Sequence, residues 1–272
     1  MSASIEFWQA AVSWVLIAVA IALSLWRGLG IERRIVVASL RAAVQLVAVG
    51  YLFTLVFDSD LDDLLAWTWV LVMVAITGLV AHRRAPAIPG GWRLTMTVTL
   101  ATTGLSLAVV FGLGVLDYSP VSVVVIAGIT IGNVLPGVVL AAKSVVDLVQ
   151  NRPGEIEHLL ALGFDRAGVV RFAGRDLARN ALIPQIERTN VVGLIALPGA
   201  MTGLLLAGVD PLDAVLIQLV VMYLVLGATA TCVVFVVSAG LRNCFTPDLR
   251  LAPAVSGGAG SGFRRLRRSA RT

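Results

Sequence analysis

The feature that most constrains this chain is a succession of long apolar runs joined by segments whose charge alternates. The runs cover roughly 7–26, 35–57, 64–81, 94–116, 121–142, 191–209 and 212–239. Crossing the hydrocarbon of a bilayer takes about 20 apolar residues in helix. Backbone polar groups in lipid must be paired within their own segment, so continuous runs of this length read as helices. A closed barrel would alternate apolar and polar residues over strands of about ten residues. The expected fold is all-α: a polytopic membrane protein of about seven transmembrane helices.

The connections give this reading a direction. Arg27, Arg33 and Arg34 follow the first run, and Arg83, Arg84 and Arg93 follow the third. Lys143, Arg152, Arg166, Arg171, Arg175, Arg179 and Arg188 lie between the fifth and sixth, and the remaining loop arginines follow the seventh. Of the 21 Lys and Arg residues only Arg41 stands inside a run. The alternate connections are acidic, with Asp58, Asp60, Asp62 and Asp63, then Asp117, then Asp210 and Asp213. Basic loops stay on the cytoplasmic face, so the expected topology is N-terminus out and C-terminus in, in the cell (plasma or inner) membrane. The first run lacks the basic start of a signal peptide and reads as a retained helix.

Composition agrees. Only 14% of residues are charged and 58% are hydrophobic, against about 25% charged in a soluble domain. A net charge of +5 would suit a nucleic-acid binder, but its location in short loops and at helix ends argues against such a partner. Cys232 and Cys244 form no CxxC pair, so neither a disulfide frame nor a zinc site is suggested. Cys232 reads as a small packing residue.

The division expected is a transmembrane domain over 5–245 and a disordered basic cytoplasmic tail over 246–272, rich in Gly, Ser, Pro and Arg. Within the former, 143–190 is not apolar enough to be buried in lipid. Pro153 suits the first turn of a helix reading Glu155-Ile-Glu-His-Leu-Leu-Ala-Leu162. Gly163 is placed to end it and Asp165 to cap the next. That second helix, about 166–182, carries Arg171, Arg175 and Arg179 on one face and Val169, Val170, Phe172, Ala173 and Leu177 on the other. Ile183-Pro184 is expected to break it. The result is a pair of short amphipathic helices held at the cytoplasmic surface.

Catalytic constellations are missing from the sequence. His82 and His158 are isolated, neither HExxH nor a GxSxG with a partner His occurs, and the one lysine, Lys143, follows no glycine-rich loop. The chain is therefore expected to be no enzyme and to bind no cofactor itself. Any ATP-Mg must be held by another subunit. Polar residues inside the runs are the remaining candidates. Arg41 and Gln45 share a helix face, and Arg41 either faces a wet cavity or snorkels to the cytoplasmic edge. Asn133 and Gln218 are amides that need partners in lipid, whereas Thr102, Thr103, Ser106 and Thr130 belong to a class that commonly bonds back to its own helix. Gly128-Ile-Thr-Ile-Gly132 and Gly199-Ala-Met-Thr-Gly203 have the spacing that lets helices approach closely. In the second, Pro198 precedes Gly199, so Leu197–Gly203 reads as kinked or unwound at membrane depth. Its glycines serve either packing or, with Met201 and Thr202, a pathway.

These residues fall into a familiar order. Arg41-Ala-Ala-Val-Gln-Leu46, Ile131-Gly-Asn133, Glu157 with Leu162-Gly163, Ile183-Pro184 and Gly193-Leu-Ile-Ala-Leu-Pro-Gly-Ala-Met-Thr-Gly203 together resemble the FetB-like family of ABC-transporter permeases. Bacterial members are implicated in iron export and metal resistance, and plant relatives in aluminium tolerance. The resemblance covers roughly 5–245. It implies a permease homodimer with a separate ABC ATPase subunit, and it makes 143–190 the coupling segment, with Glu157, Leu162, Gly163, Arg166 and Arg171 facing the ATPase. Glu157 and Gly163 are spaced as in the EAAxxxG loop of ABC importers, although His158-Leu159 replaces Ala-Ala. Iron comes from the resemblance alone, because the runs contain no cluster of carboxylate, His or Cys ligands. An ATP-independent carrier or channel using Arg41, Gln45, Asn133 and Gln218 is the alternative.

Overall fold

The computed structural model describes residues 12, 14–57, 59, 61–246, 248 and 251. The first residues of the opening run and nearly all of the basic tail lie outside them. Among the described residues every regular element is a helix. In chain order these are α1 (Trp14–Arg27), α2 (Glu32–Phe57), α3 (Asp62–Arg84), α4 (Gly91–Gly112), α5 (Pro120–Asn151), α6 (Pro153–Ala161), α7 (Arg166–Asn190), α8 (Gly199–Leu206) and α9 (Pro211–Asn243). Five are long and apolar enough to cross a membrane, namely α2, α3, α4, α5 and α9, and α1 is apolar but shorter.

The chain forms two compact units, Met1–Asp62 and Asp63–Thr272. In the first, α1 and α2 pack together, and Ser24 Oγ donates to Glu32 Oε1 at 2.6 Å across the turn between them. The second unit is organised around α5 and α9, which pack along each other. At 1.5 Å per residue their 32 and 33 residues span about 50 Å, well beyond about 30 Å of hydrocarbon. The core accordingly has two parts. Val70 and Val74 of α3, Leu107 and Val110 of α4, and Val123 and Ile126 of α5 form one. The other joins Val138, Val145 and Leu148 of α5 to Ile156 of α6, Val169 and Leu177 of α7, and Val233 and Leu241 of α9. The surplus length of α5 and α9 is therefore what α6 and α7 are built on.

Two sequence expectations change. Ile183-Pro184 does not end α7, which runs on to Asn190 with Pro184 inside it. Proline removes one hydrogen bond, to the carbonyl four residues back, and burial of Leu177, Ala181 and Gln185 on either side holds the helix through the defect. The run 191–209 is not one helix. Residues 191–198 form a turn segment in which Gly193, at φ +88°, donates to the Ala196 carbonyl at 2.9 Å. Ala196 donates back to Val191 at 3.2 Å, so this non-helical stretch pairs part of its own backbone before α8 begins. The kink expected at Leu197–Gly203 is real but lies earlier, ahead of Pro198.

Close helix approach is set by Gly78 and Gly137, not by the GxxxG pairs. A Cβ on Gly137 of α5 would lie 2.9 Å from Thr229 Cγ2 of α9, and one on Gly78 of α3 would lie 3.0 Å from Met96 Cβ and 3.2 Å from Met96 Cα of α4. Because Met96 presents its backbone there, the site cannot yield by a rotamer change. Gly78→Val is expected to cost about 1–3 kcal/mol, read as a fall in the thermal unfolding midpoint of the purified protein in nanodiscs. An unchanged midpoint would show that α3 and α4 do not meet at this point.

Candidate functional site

A cavity of about 310 Å³ opens where α5, α7, the 191–198 turn, α8 and α9 meet. Its polar lining is Asn133 from α5, Gln185 and Arg188 from α7, and Gln218 from α9. Each is delivered by a different cause. Asn133 points inward because its Nδ2 donates to the Ile129 carbonyl at 2.7 Å, which leaves Oδ1 to accept from Arg188 Nη1, also at 2.7 Å. Arg188 arrives because α7 does not stop at Pro184. Gln218 is 5% exposed, and its Oε1 has no hydrogen-bond partner. Such an atom is costly to bury.

The floor of the cavity includes Pro198, Gly199 and Ala200. These are the N-cap and first residues of α8, and no side chain caps that end. The first N–H groups of a helix have no intrahelical acceptor, so the positive end of α8 borders the same space as the Arg188 guanidinium. A second void of about 170 Å³ adjoins it, also lined by Asn133, Gln185 and Arg188 and closed by Pro136 and Pro184. Both prolines sit inside helices, and each frees the carbonyl four residues earlier.

Of the residues singled out in the sequence, Asn133, Pro198, Gly199 and Gln218 meet here. Arg41 and Gln45 stand exposed on α2 in the first unit, and the cavity is built without them. Thr202 donates its hydroxyl to the Pro198 carbonyl at 3.1 Å, Met201 is half-buried, and Gly132, Gly199 and Gly203 have open space where a Cβ would go. Gln185 and Arg188 went unrecognised because the helix was expected to end before them. A hydroxyl stripe on α4 was also read only in part. Thr95, Thr99, Thr102, Thr103 and Ser106 are all buried and recur at helical spacing. Thr102 Oγ1 lies 3.2 Å from Cys232 Sγ, in keeping with the packing role expected of that cysteine, whereas buried Thr99, Thr130 and Thr229 hydroxyls have no partner. Thr130 does not bond back to its helix.

The expected coupling segment divides into a rooted face and a free one. Ile156, Val169 and Val170 are in the core, while Glu157, Leu162, Gly163 and Arg171 are exposed. Phe172, expected on the apolar side, is instead 61% exposed and meets Phe164 at a ring separation of 6.1 Å. Gly163 sits at φ +88° and donates to Leu160 O at 3.0 Å, and Phe164 N donates to Leu159 O at 3.1 Å, the paired bonds of a glycine-terminated helix. Asp165 Oδ1 accepts from Gly168 N at 2.7 Å, as its capping position requires. Arg166 turns inward, its Nη2 donating to the Thr246 carbonyl just beyond α9.

Residues 7–245 match the family described as "Uncharacterised protein family (UPF0014)". The chain belongs to the UPF0014 membrane protein family. It is 34% identical over 218 residues to "UPF0014 membrane protein STAR2" of Oryza sativa subsp. japonica, covering 78% of this chain and 74% of the relative. It is 31% identical over 220 residues to the "Probable iron export permease protein FetB" of Escherichia coli, 81% of this chain and 85% of that one. It is 29% identical over 222 residues to "Protein ALUMINUM SENSITIVE 3" of Arabidopsis thaliana, 80% of each. No solved structure matches it significantly. The UPF0014 match spans both units and ends at Phe245, where α9 has just finished, and a UPF0014 chain with five apolar membrane-length helices is a multi-pass membrane protein.

Proposed function

We propose that this chain is the transmembrane permease subunit of an ABC transporter that exports iron, another metal or a metal-linked solute, as a homodimer with a separate ATPase. The observation that supports it best is α7. It starts on the exposed turn after Gly163 and ends beside the polar cavity with Arg188, so one 25-residue helix links a docking face to a candidate pathway. A push on Glu157, Leu162 and Phe172 is carried by the core side chains of α6 and α7 into α5 and α9, and by the α7 axis to Asn133. Iron as cargo rests on the name of the Escherichia coli relative.

The same reading assigns the two crossings beyond the five long helices. α1 is the first, and the C-terminal part of α7 with the 191–198 turn and α8 together make the sixth, a broken span of the sort tolerated where backbone lines a cavity or is buried in protein. The basic side is then cytoplasmic and carries the ATPase.

The test is transport in proteoliposomes holding the permease with its ATPase. Movement of iron, supplied as ferrous ion or as a carboxylate complex, that requires ATP and stops with a hydrolysis-deficient ATPase is the expected result. Equal ion flux through the permease alone, without nucleotide, would replace this reading with that of an ATP-independent carrier.

A further inference from the structure

The polar cavity has one sign of charge. Among the described residues that line it, Arg188 is the one ionisable side chain, Asn133, Gln185 and Gln218 are neutral amides, and none is a carboxylate, imidazole or thiolate. Met222 contributes a lone thioether, too little for a hard cation, which selects several oxygen ligands. The uncapped first turn of α8 adds further N–H groups and the positive end of a helix dipole. Guanidinium, amide N–H and helix N-terminus together are the donor set that binds carboxylate or phosphate oxygens. A bare divalent cation entering this space would meet repulsion from Arg188 and find no anionic ligand.

We propose that the cavity binds a small soluble oxyanion, such as a polycarboxylate, so that metal leaves through it as an anionic complex and not as the naked ion. Arg188 would exchange its bond with Asn133 Oδ1 for a forked contact to the anion, and Gln218 would orient the ligand through its amide N–H groups. The volume of about 310 Å³ falls at the lower end of the range for small-molecule sites. This inference rests on the permease reading for its meaning in transport, but the binding site itself does not.

Isothermal titration of the purified permease, alone in phosphatidylcholine nanodiscs, separates the possibilities. The probes are citrate, its one-to-one ferric complex and ferrous ion under anoxic conditions. Citrate or ferric citrate is expected to bind, and the tighter of the two tells whether the free acid or the metal complex is preferred. Arg188→Gln should weaken that binding tenfold to a hundredfold, while Arg188→Lys keeps the charge and part of the affinity. Should Arg188→Gln not fold, Gln218→Leu provides the second reading, with a smaller loss expected. Ferrous ion binding that is unchanged or improved in Arg188→Gln would overturn the proposal, as would citrate binding indifferent to both variants. Replacing phosphatidylcholine with phosphatidylglycerol tests the remaining source of oxyanion. If the lipid displaces citrate, the cavity is a headgroup site and the soluble cargo is wrong. Because no ATPase is present, failure here leaves the ABC reading intact, and loss of ATP dependence with citrate binding retained would overturn that reading alone.

Discussion

Gly163→Arg is expected to abolish ATP-driven transport and co-purification of the ATPase while the permease still assembles in the membrane. The glycine is at φ +88°, a region that side-chain-bearing residues adopt only with strain. It closes α6 with two backbone hydrogen bonds, and nothing lies within 4 Å of the position a Cβ would take. Substitution therefore has two separable effects. Gly163→Ala carries the backbone strain alone, about 1 kcal/mol, and should keep most of the activity. Gly163→Arg carries the same strain and adds a long cation to the exposed turn between Leu162, which is 76% exposed, and Phe164. Glu157→Lys makes the complementary change six residues earlier, reversing a charge on the free face of α6 and leaving the buried Ile156 unchanged. Both substitutions should reduce ATP-dependent flux by more than tenfold and release the ATPase from an affinity-tagged permease. If both variants retain the complex and the flux, the docking surface is elsewhere.

The contrast between these two sites shows what the chain betrays by its residue order and what it does not. Gly163 and Asp165 act through bonds to residues within five positions of themselves and Pro153 through its own fixed φ, so local spacing was enough to place α6 and the start of α7. The same holds for the continuous apolar runs behind α2–α5 and α9, whose bounds shift by only a few residues at most ends. The cavity is different in kind. Asn133 and Gln218 were recognisable as amides out of place in lipid, but their meeting depends on the register of α5 against α9, which approach so closely at Gly137 that a Cβ there would lie 2.9 Å from Thr229 Cγ2. Arg188 was counted as one more loop cation because Pro184 precedes it. Proline inside a helix costs about 3 kcal/mol, and the packing of α7 on α5 and α9 outweighs that, a tertiary effect with no local signature. The run 191–209 failed as a helix for the converse reason. Its apolar composition permits a span, and the Gly193 turn, which donates to Ala196, ends it.

Asn133→Leu carries the second large effect, because it tests whether the cavity works as a unit. Asn133 Oδ1 is the hydrogen-bond acceptor for Arg188 Nη1, and Asn133 Nδ2 is tied to its own helix. Leucine is close in size but offers neither group, so Arg188, itself exposed, loses a charged hydrogen bond that solvent screening holds to about 1 kcal/mol. Transport should fall several-fold, with a lesser fall in thermal stability because α5 keeps its packing on α9. A double-mutant cycle separates this from simple damage. If Asn133 acts by holding Arg188, then Asn133→Leu in an Arg188→Gln background should cost little further transport, since the interaction is already gone, and the deviation from additivity should be of the size seen for contacting residues, about 0.5–3 kcal/mol. Additive losses in flux would show that the two side chains serve separate steps, and the 2.7 Å contact between them would then be a feature of the resting arrangement with no part in moving the cargo.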